Sequence, residues 1–374
     1  MNNKLEEIAE KMVLVRHHLH RNPELSFREY GTCDFLTKIL DSYKISYTIV
    51  AQTGILAVVE GAGKGDDVLV RADIDALPIR EESGCEYSSS CDAMHACGHD
   101  IHTSVLLGLL IYLVQNRELF SGRLVGLFQP GEEESPGGAS LVLAEGVLDN
   151  FNIKAAYALH TAHDMEVGKF GVRRGEYMAS TSEMRIMVHG TGGHAALPKG
   201  MINPILIASK LILALKEVEQ SHSDVIIAVG RVIAEGSTNV IPTSVSMSGT
   251  VRAMNLTGKA ELKDKIRALA KELGDIEVSF TDGYPPIYNN RKLAEKSIAI
   301  LKKEFGDENI IELGLRMTAD DFGFFSELYP SFYYRLGVKG DWDESFAPHT
   351  PKFKADDKAI YYGIKSLIEL IKVP

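Results

Sequence analysis

The stretch HACGHD at residues 95–100 places Cys97 and His99 on either side of Gly98, directly before an apolar run. Thiolate and imidazole groups are ligands that transition metals bind, and zinc prefers them. A glycine between the two residues can adopt backbone angles closed to other residues, which lets a turn aim both side chains at one point. Taken alone, the motif leaves two interpretations open, a pair of metal ligands or a small buried cysteine beside an ordinary histidine.

More side chains of metal-binding type follow predicted buried strands, each at the carboxyl end of its strand. They are Asp73, Asp75, Glu132, Glu133, Glu134 and His160, and His349 lies nearer the C-terminus. The carboxyl ends of parallel strands meet at one edge of a sheet, so we expect these side chains to converge. Singly, each has an ordinary interpretation, such as a hydrogen-bonded histidine or the solvated acidic start of a helix. Together they predict a transition-metal site for zinc, with manganese, nickel and cobalt as alternatives.

The elements that would position these residues alternate between strands and helices at both ends of the chain. Predicted helices cover residues 5–20, 27–43, 102–115, 291–305 and 355–371. Predicted strands cover residues 47–51, 54–61, 67–77, 123–130, 155–160 and 332–338. Continuous apolar strands alternating with helices indicate an α/β domain with a mostly parallel sheet.

The middle of the chain has a different pattern, in which apolar and polar residues alternate with a period of two, as in half-exposed antiparallel strands. Two amphipathic helices, near 203–219 and 258–273, separate these strands, and the last strand is predicted at 276–280. This β-α-β-β-α-β order predicts an inserted ferredoxin-like α+β domain. The predicted domains are a catalytic domain in two parts, 1–178 and 289–374, and an inserted domain over 179–288.

Composition excludes several classes of function. The chain has 374 residues, which predicts two domains, and a net charge of −11, which is unfavourable for binding nucleic acid or an anionic membrane. The longest apolar run, at 105–114, is about half of the roughly 20 residues that cross a bilayer. The acidic, amphipathic N-terminal segment does not have the pattern of a signal peptide. We therefore expect a cytoplasmic protein whose four cysteines are reduced.

Eight motifs occur along the chain in a fixed order: RADIDALPI, MHACGHDIHT, FQPGEEE, ALH, GTGGHAALP, STNVIP, GTVR and PHTP. In this order they resemble the metal-dependent amidohydrolases of the aminoacylase–carboxypeptidase G superfamily. The branch they resemble most holds the hippurate hydrolases, auxin-conjugate hydrolases and N-acetyldiaminopimelate deacetylases. The resemblance covers essentially the whole chain. It implies a zinc-peptidase-like catalytic domain with an inserted lid and dimerisation domain, and hydrolysis of the amide bond of a small N-acyl amino acid.

The resemblance also implies a metal site of two divalent ions bridged by the Cys97 thiolate. The ligands it implies are Cys97, His99, Glu133, His160 and His349. Glu132 would be the general base, taking a proton from metal-activated water and returning it to the leaving amine. Asp73 would orient a ligand imidazole, whereas we interpret Asp75 as a cap of its strand end. Arg71 stands where many relatives have a metal-binding histidine.

The resemblance assigns three further residues to the inserted domain. His194 would donate a hydrogen bond to the developing oxyanion, reaching the active site of the partner subunit across a homodimer. Asn239 and Arg252 would bind substrate, and a guanidinium suits the free carboxylate of an N-acyl amino acid. From their local sequence alone, His194 is a turn residue and Arg252 a solvated strand residue.

Two alternatives stay open at this point. A dipeptidase or aminopeptidase would act on substrates with a free α-amine, which the acidic Glu134 could favour. A metal-stabilised binding protein without turnover is the other alternative. The complete set of implied ligands and the presence of Glu132 argue against it.

Overall fold

A computed structural model describes residues 2–197, 199–222, 224–342, 344 and 346–372. Its helices are α1 Asn2–Arg21, α2 Tyr30–Ser42, α3 His99–Val114, α4 Gly138–Ala144, α5 Pro204–Gln220, α6 Leu256–Leu273, α7 Arg291–Phe305, α8 Gly323–Leu328 and α9 Lys358–Leu370. Its strands are β1 Ser46–Val50, β2 Gly54–Glu60, β3 Asp67–Asp73, β4 Arg123–Gln129, β5 Ile153–Glu166, β6 Phe170–Val172, β7 Gly175–Met178, β8 Ser180–His189, β9 Gly193–His194, β10 Val225–Ile233, β11 Val240–Ile241, β12 Ser244–Ala253, β13 Ile276–Phe280, β14 Ile287–Asn289, β15 Ile310–Glu312 and β16 Ser331–Lys339.

The chain forms two compact units. The first unit comprises the described parts of Met1–Gly175, Tyr288–Gly314 and Phe324–Pro374. The second unit comprises the described parts of Glu176–Ile287 and Leu315–Gly323.

The first unit is built on an eight-stranded sheet in the order β1-β2-β4-β3-β5-β16-β6-β15. Strands β4, β3, β5 and β16 run parallel at its centre, and every residue of β3 is buried. Helix α3 packs against α1 and α9 and is buried along nearly its whole length. The predicted α/β domain with a mostly parallel sheet is confirmed. None of the helices in the described ranges is both long and apolar enough to cross a membrane.

Four of the five helices predicted in this unit begin three residues away from the predicted start, α1 and α3 earlier and α2 and α9 later, and the backbone explains two of these differences. Helix α2 begins at Tyr30 instead of residue 27, because Phe27 has a φ of +61°, in the left-handed region that a right-handed helix cannot contain. Helix α3 begins at His99, three residues before the predicted start, because Gly98 turns the chain with a φ of +86° and forms the N-cap. His99 and His102 therefore lie on the first turn of a buried helix.

The second unit has the predicted β-α-β-β-α-β order, formed by β8, α5, β10, β12, α6 and β13. Its four strands are antiparallel in the order β10-β12-β8-β13, and the ferredoxin-like arrangement is confirmed. Helix α5 begins with Pro204 after an Asn203 side chain that accepts a hydrogen bond from the amide of Ile205. One face of α5 packs on the sheet, whereas Leu206 and Leu213 on the same helix are 61% and 66% exposed.

A buried ionic network anchors the first turn of α3. The Asp100 carboxylate accepts from Arg16 Nε at 2.9 Å and from His20 Nδ1 at 2.9 Å. The other ring nitrogen of His20 lies 3.1 Å from the Glu81 carboxylate. Burial alone would lower the pKa of His20, but Asp100 and Glu81 outweigh it and raise that pKa to about 9. His20 is therefore a cation within the folded unit at neutral pH.

We expect replacement of His20 by glutamine to destabilise the protein by about 2 kcal/mol near pH 6, because a charged hydrogen bond to Asp100 is lost. The pKa of His20 rises from 6.5 to about 9 on folding. The stabilisation from its charge is therefore complete below pH 6.5 and is lost as the pH rises through 9. Denaturant unfolding of both proteins between pH 6 and pH 10 should show the difference shrinking over that range.

The matched control is replacement of the exposed His222 by glutamine, which should change stability by less than about 0.5 kcal/mol. A difference between wild type and the His20 variant that does not vary with pH would contradict the assignment of a buried cation.

Candidate metal centre

The five predicted metal ligands all lie in the first unit and form two overlapping groups. Cys97, His99 and His160 form one group, and Cys97, Glu133 and His349 form the other, with all ligand atoms in each group within 4.8 Å of one another. Cys97 Sγ lies 3.4 Å from His160 Nε2, and His349 Nε2 lies 3.1 Å from Glu133 Oε1. Cys97 is thus the residue common to both groups, the position that a bridging thiolate requires.

Gly98 makes the turn that presents Cys97 and His99. A side chain at position 98 would place its Cβ 2.6 Å from Thr161 Cγ2, so the turn is open only to glycine. The Thr161 hydroxyl donates to the carbonyl of Cys97 at 2.8 Å, which ties the turn to β5 beside His160. Gly98 thus allows the direction of the two ligands, and the contact with Thr161 sets the distance of the turn from β5.

Backbone hydrogen bonds hold the two remaining histidines, His160 through its ring and His349 through its own amide. His160 Nδ1 lies 2.9 Å from the carbonyl of Thr161; when it donates there, Nε2 is left to face Cys97. His349 has a φ of +62°, unusual for a residue other than glycine, and its amide donates to the carbonyl of Ala96 at 2.9 Å. The loop that carries His349 is therefore fixed directly against the Cys97 turn.

Asp75 is not the simple strand-end cap that we expected. Its Oδ1 accepts from His99 Nδ1 at 3.1 Å, and its Oδ2 accepts from the amide of Glu133 at 3.0 Å and from the Ser26 hydroxyl at 2.7 Å. One carboxylate thus orients the ring of one predicted ligand and the backbone of another. The sequence signal was its spacing of two from Asp73, which puts both side chains on the same side of an extended strand.

Asp73 contacts a histidine that the sequence analysis did not single out. Its Oδ1 lies 2.5 Å from His102 Nδ1 and its Oδ2 lies 2.6 Å from Arg71 Nη1, whereas His99 Nε2 is 3.6 Å away. Burial would raise the pKa of Asp73, but Arg71 and the neighbouring imidazoles hold it well below its usual value. His102 Nε2 in turn accepts from the amide of Thr161 at 2.9 Å. The spacing of three between His99 and His102 on one helix was the available signal.

The donor set fits a divalent metal. His99 Nε2 is buried and has no hydrogen-bond partner among the described residues, and the buried Glu133 Oε1 faces His349 Nε2 at 3.1 Å. Leaving a buried polar atom unsatisfied costs about 1–3 kcal/mol, which a bound cation would offset. Burial raises the pKa of the Cys97 thiol to about 12, and coordination to a cation favours its thiolate form. Sulfur, nitrogen and oxygen donors together suit a transition metal rather than calcium or magnesium.

The loop after β4 presents the glutamates. Glu132 is buried, and its carboxylate lies within 4.8 Å of the ligand atoms of His99 and Glu133. Glu134, two positions after Glu132, is exposed. Gly131, directly before Glu132, has a φ of +59° and so makes a turn that side-chain-bearing residues rarely adopt.

The second unit brings two of its three predicted site residues together. His194 on β9 pairs with Val240 on β11, and the amide of Ala195 donates to the carbonyl of Asn239 at 2.9 Å. Both His194 and Asn239 are exposed. Arg252 lies on β12 instead, where its Nη1 donates to the carbonyl of Met317 at 3.0 Å.

Comparisons with known proteins match nearly the whole chain. The model of peptidase family M20/M25/M40 matches residues 69–373. N-acetyl-L-cysteine deacetylase of Bacillus subtilis is 33% identical, with 98% of this chain and 89% of the relative covered. IAA-amino acid hydrolase ILR1-like 5 of Arabidopsis thaliana is 33% identical, with 98% and 87% covered. The dinuclear metal-binding M20 peptidase YXEP of Bacillus subtilis has a similar structure, with a TM-score of 0.85, 28% identity and 98% of each chain covered.

Replacing Cys97 by alanine should remove more metal than replacing any histidine ligand, because Cys97 is the residue common to both ligand groups. We expect wild type to bind two equivalents of zinc and the Cys97→Ala variant to bind less than one at the same free concentration. His349→Ala should retain about one equivalent. Elemental analysis after dialysis against buffered zinc measures each value.

The control is Cys33→Ala, which removes another buried thiol, on α2, and should keep the wild-type metal content. A Cys97→Ala variant that still binds two equivalents would rule out a shared thiolate.

Proposed function

The chain belongs to peptidase family M20/M25/M40, and we propose that it hydrolyses the amide bond of small N-acyl amino acids, N-acetyl or N-aroyl, with Glu132 as general base. One observation carries the proposal: the buried Glu132 carboxylate lies beside a cluster of thiol, imidazole and carboxylate ligands. The names of the two relatives, one a deacetylase of N-acetyl-L-cysteine and the other a hydrolase of IAA-amino acids, support an amino acid with a blocked amine as substrate.

The ligands we propose are Cys97, His99, Glu133, His160 and His349. Two divalent ions bound there, zinc or else manganese, nickel or cobalt, would polarise the amide carbonyl and acidify water. Glu132 takes a proton from the attacking water and delivers it to the departing nitrogen as the carbon–nitrogen bond breaks. The products are a carboxylic acid and an amino acid with a free amine. Asp75 keeps the Nε2 atom of His99 directed at the site by accepting from its Nδ1.

We assign the recognition of the rest of the substrate to the second unit. His194 would stabilise the oxyanion of the tetrahedral intermediate, and Asn239 and Arg252 would bind the substrate. The Arg252 guanidinium has the fork geometry that carboxylates accept. The support for these three roles is the motif resemblance and, for His194 and Asn239, their proximity across the β9–β11 pair.

A peptidase acting on free-amine substrates is the second candidate. The exposed Glu134 carboxylate, which follows Glu132 and Glu133, favours it, since such a group can pair with a substrate ammonium. YXEP, the similar structure, is also described as a peptidase.

The zinc-, manganese-, nickel- or cobalt-loaded protein should hydrolyse N-acetyl amino acids or hippurate in preference to unblocked dipeptides, and a chelator should abolish turnover. Glu132→Gln should lower kcat by about a thousandfold, because the proton-transfer group is lost, while the metal content measured by elemental analysis stays unchanged. A product assay for the released amine measures both effects.

Glu134→Gln is the matched control, and should leave hydrolysis of N-acyl amino acids within about threefold of wild type. Turnover of dipeptides alone, lowered by Glu134→Gln, would favour the peptidase. A Glu132→Gln variant with near wild-type kcat would overturn the mechanism.

We further propose a homodimer formed through the second unit, with His194 acting in the active site of the partner subunit. Support comes from the apolar side chains of Leu206 and Leu213, which are exposed two turns apart on one face of α5. Strand β10 is also an edge of its sheet. An edge strand and an adjacent apolar helix face are common components of symmetric interfaces.

The double variant Leu206→Lys/Leu213→Lys should be a monomer in light scattering, because two charges would be buried without partners in the interface. It should retain metal but lose most activity, since His194 would no longer reach a partner. The control is Leu14→Lys, at a leucine 70% exposed on α1 in the first unit, which should remain a dimer. A dimeric double variant, or a monomeric wild type, would contradict the proposed interface.

We place the protein in the cytoplasm. All four cysteines lie within the described ranges and are free thiols, which suits a reducing compartment. Their reduced state also keeps Cys97 available as a ligand.

A further inference from the structure

Residues 24–29 of the loop between α1 and α2 contact the chain directly after β3 and directly after β4, where site residues lie. The carbonyl of Glu24 accepts from the amide of Ala76 at 2.8 Å, directly after Asp75. The Ser26 hydroxyl donates to Asp75 at 2.7 Å. At the other end of the loop, the side chain of Glu29 contacts the turn before Glu132. This loop therefore touches both the aspartate that orients His99 and the turn that presents the glutamates.

Glu29 is a fully buried carboxylate whose two oxygens are both engaged. Oε1 accepts from the amide of Gly131 at 2.9 Å, and Oε2 accepts from the Thr53 hydroxyl at 2.6 Å. Burial raises the pKa of Glu29, and the hydrogen bond from Thr53 opposes that rise. Burying a carboxylate costs free energy even when its hydrogen bonds are satisfied, because it loses its hydration. For stability alone, an apolar side chain would normally be more favourable at this position.

The contact with Gly131 bears on the direction of the following residues. Gly131 adopts a φ of +59°, and a Cβ there would lie 2.3 Å from the ring of Phe27. The Phe27 ring therefore closes one side of the turn, while Glu29 fixes the direction of its amide. Glu132 and Glu133 follow directly, so a rotation of the Gly131 peptide would move both carboxylates.

We propose that Glu29 is a positioning residue, which fixes the Gly131 turn and thereby the places of the base Glu132 and the ligand Glu133. The inference rests on the proposed function for the roles of those two glutamates. It extends that function to a residue about one hundred positions earlier in the chain, which contacts neither the substrate nor any proposed ligand side chain. A displacement of about 1 Å in such a group can lower a rate by about a hundredfold.

The test compares Glu29→Ala with Glu29→Gln in the full chain. Zinc affinity is measured by competition with a chromogenic chelator, without any substrate present. Glu29→Ala should weaken zinc binding by roughly tenfold, as loss of groups that support metal ligands does. It should also lower kcat by about ten- to a hundredfold with KM within about threefold of wild type, since orientation and not substrate binding is lost. Glu29→Gln can still accept from Gly131 and donate to Thr53, and should restore both values to within about threefold.

The control for lost stability is Asp67→Ala. Asp67 is also a buried carboxylate of the first unit. It lies at the start of β3, the opposite end of that strand from Asp73, and accepts hydrogen bonds from Arg123 and from the amide of Asn152. Its loss should lower the denaturant midpoint but leave zinc affinity and kcat unchanged. If Glu29→Ala behaves in the same way, Glu29 is only structural and the proposal is wrong.

Should Glu29→Ala fail to fold, Glu29→Asp replaces it in the same comparison. Its carboxylate is one methylene shorter and cannot reach Gly131 and Thr53 together, so weakened zinc binding is expected, and wild-type zinc binding would overturn the proposal. Because zinc affinity is measured without substrate, its outcome stands even if wild type hydrolyses no N-acyl amino acid. Failure of the proposed function and failure of the positioning role are thereby distinguished.

Discussion

The burial of charge at one edge of the first unit's sheet is the constraint on which the rest of this structure depends. Buried carboxylates and imidazoles are tolerated only when they are paired, and the fold pairs nearly all of them. Asp73 lies between Arg71 and His102, and Asp100 lies between Arg16 and His20. By contrast, His99 Nε2 has no hydrogen-bond partner within the described part of the chain, and the same is true of both ring nitrogens of the buried His95. Among the buried polar atoms left over, His99 Nε2 belongs to a proposed metal ligand, and a bound ion would satisfy it.

Some backbone conformations of low probability lie around the same edge, whereas those of Lys44, Ala51 and Gln52 lie in the turns on either side of β1. Gly98 and Gly131 have positive φ next to the cysteine and glutamate ligands, and the non-glycine residues Phe27 and His349 have φ near +60°. Such residues persist only where surrounding contacts determine them, and they are common at functional sites. Here each of these four residues directs or supports a proposed site side chain, so part of the unusual backbone geometry of the unit lies at the site.

Periodicity predicted the parallel sheet and the β-α-β-β-α-β order, because burial on one or both faces of a strand leaves a direct pattern in the sequence. The convergence of His160, at a strand end, with Cys97, in the loop before a helix, was also predicted, and their ligand atoms lie 3.4 Å apart. The partners of these ligands could not be derived in the same way. Which carboxylate contacts which imidazole depends on side-chain direction at adjacent strand ends, and the Glu29–Gly131 contact joins residues about one hundred positions apart. Left-handed φ at Phe27 has no sequence signal, so the start of α2 was placed too early.

The pairing of Asp73 also bears on why a cysteine would bridge two ions in the proposed site. A carboxylate that bridges two cations needs at least one oxygen free to face them, and most often offers one oxygen to each. Both oxygens of Asp73 are already engaged, Oδ1 by His102 and Oδ2 by Arg71, and Arg71 is itself fixed by a hydrogen bond from its Nε to Gln129. Arg71 also supplies a buried positive charge two positions from Asp73, which disfavours a cation at that carboxylate. With both oxygens of Asp73 engaged in this way, a ligand shared between two proposed ions would come from another element, and Cys97 is the residue common to the two groups of proposed ligands.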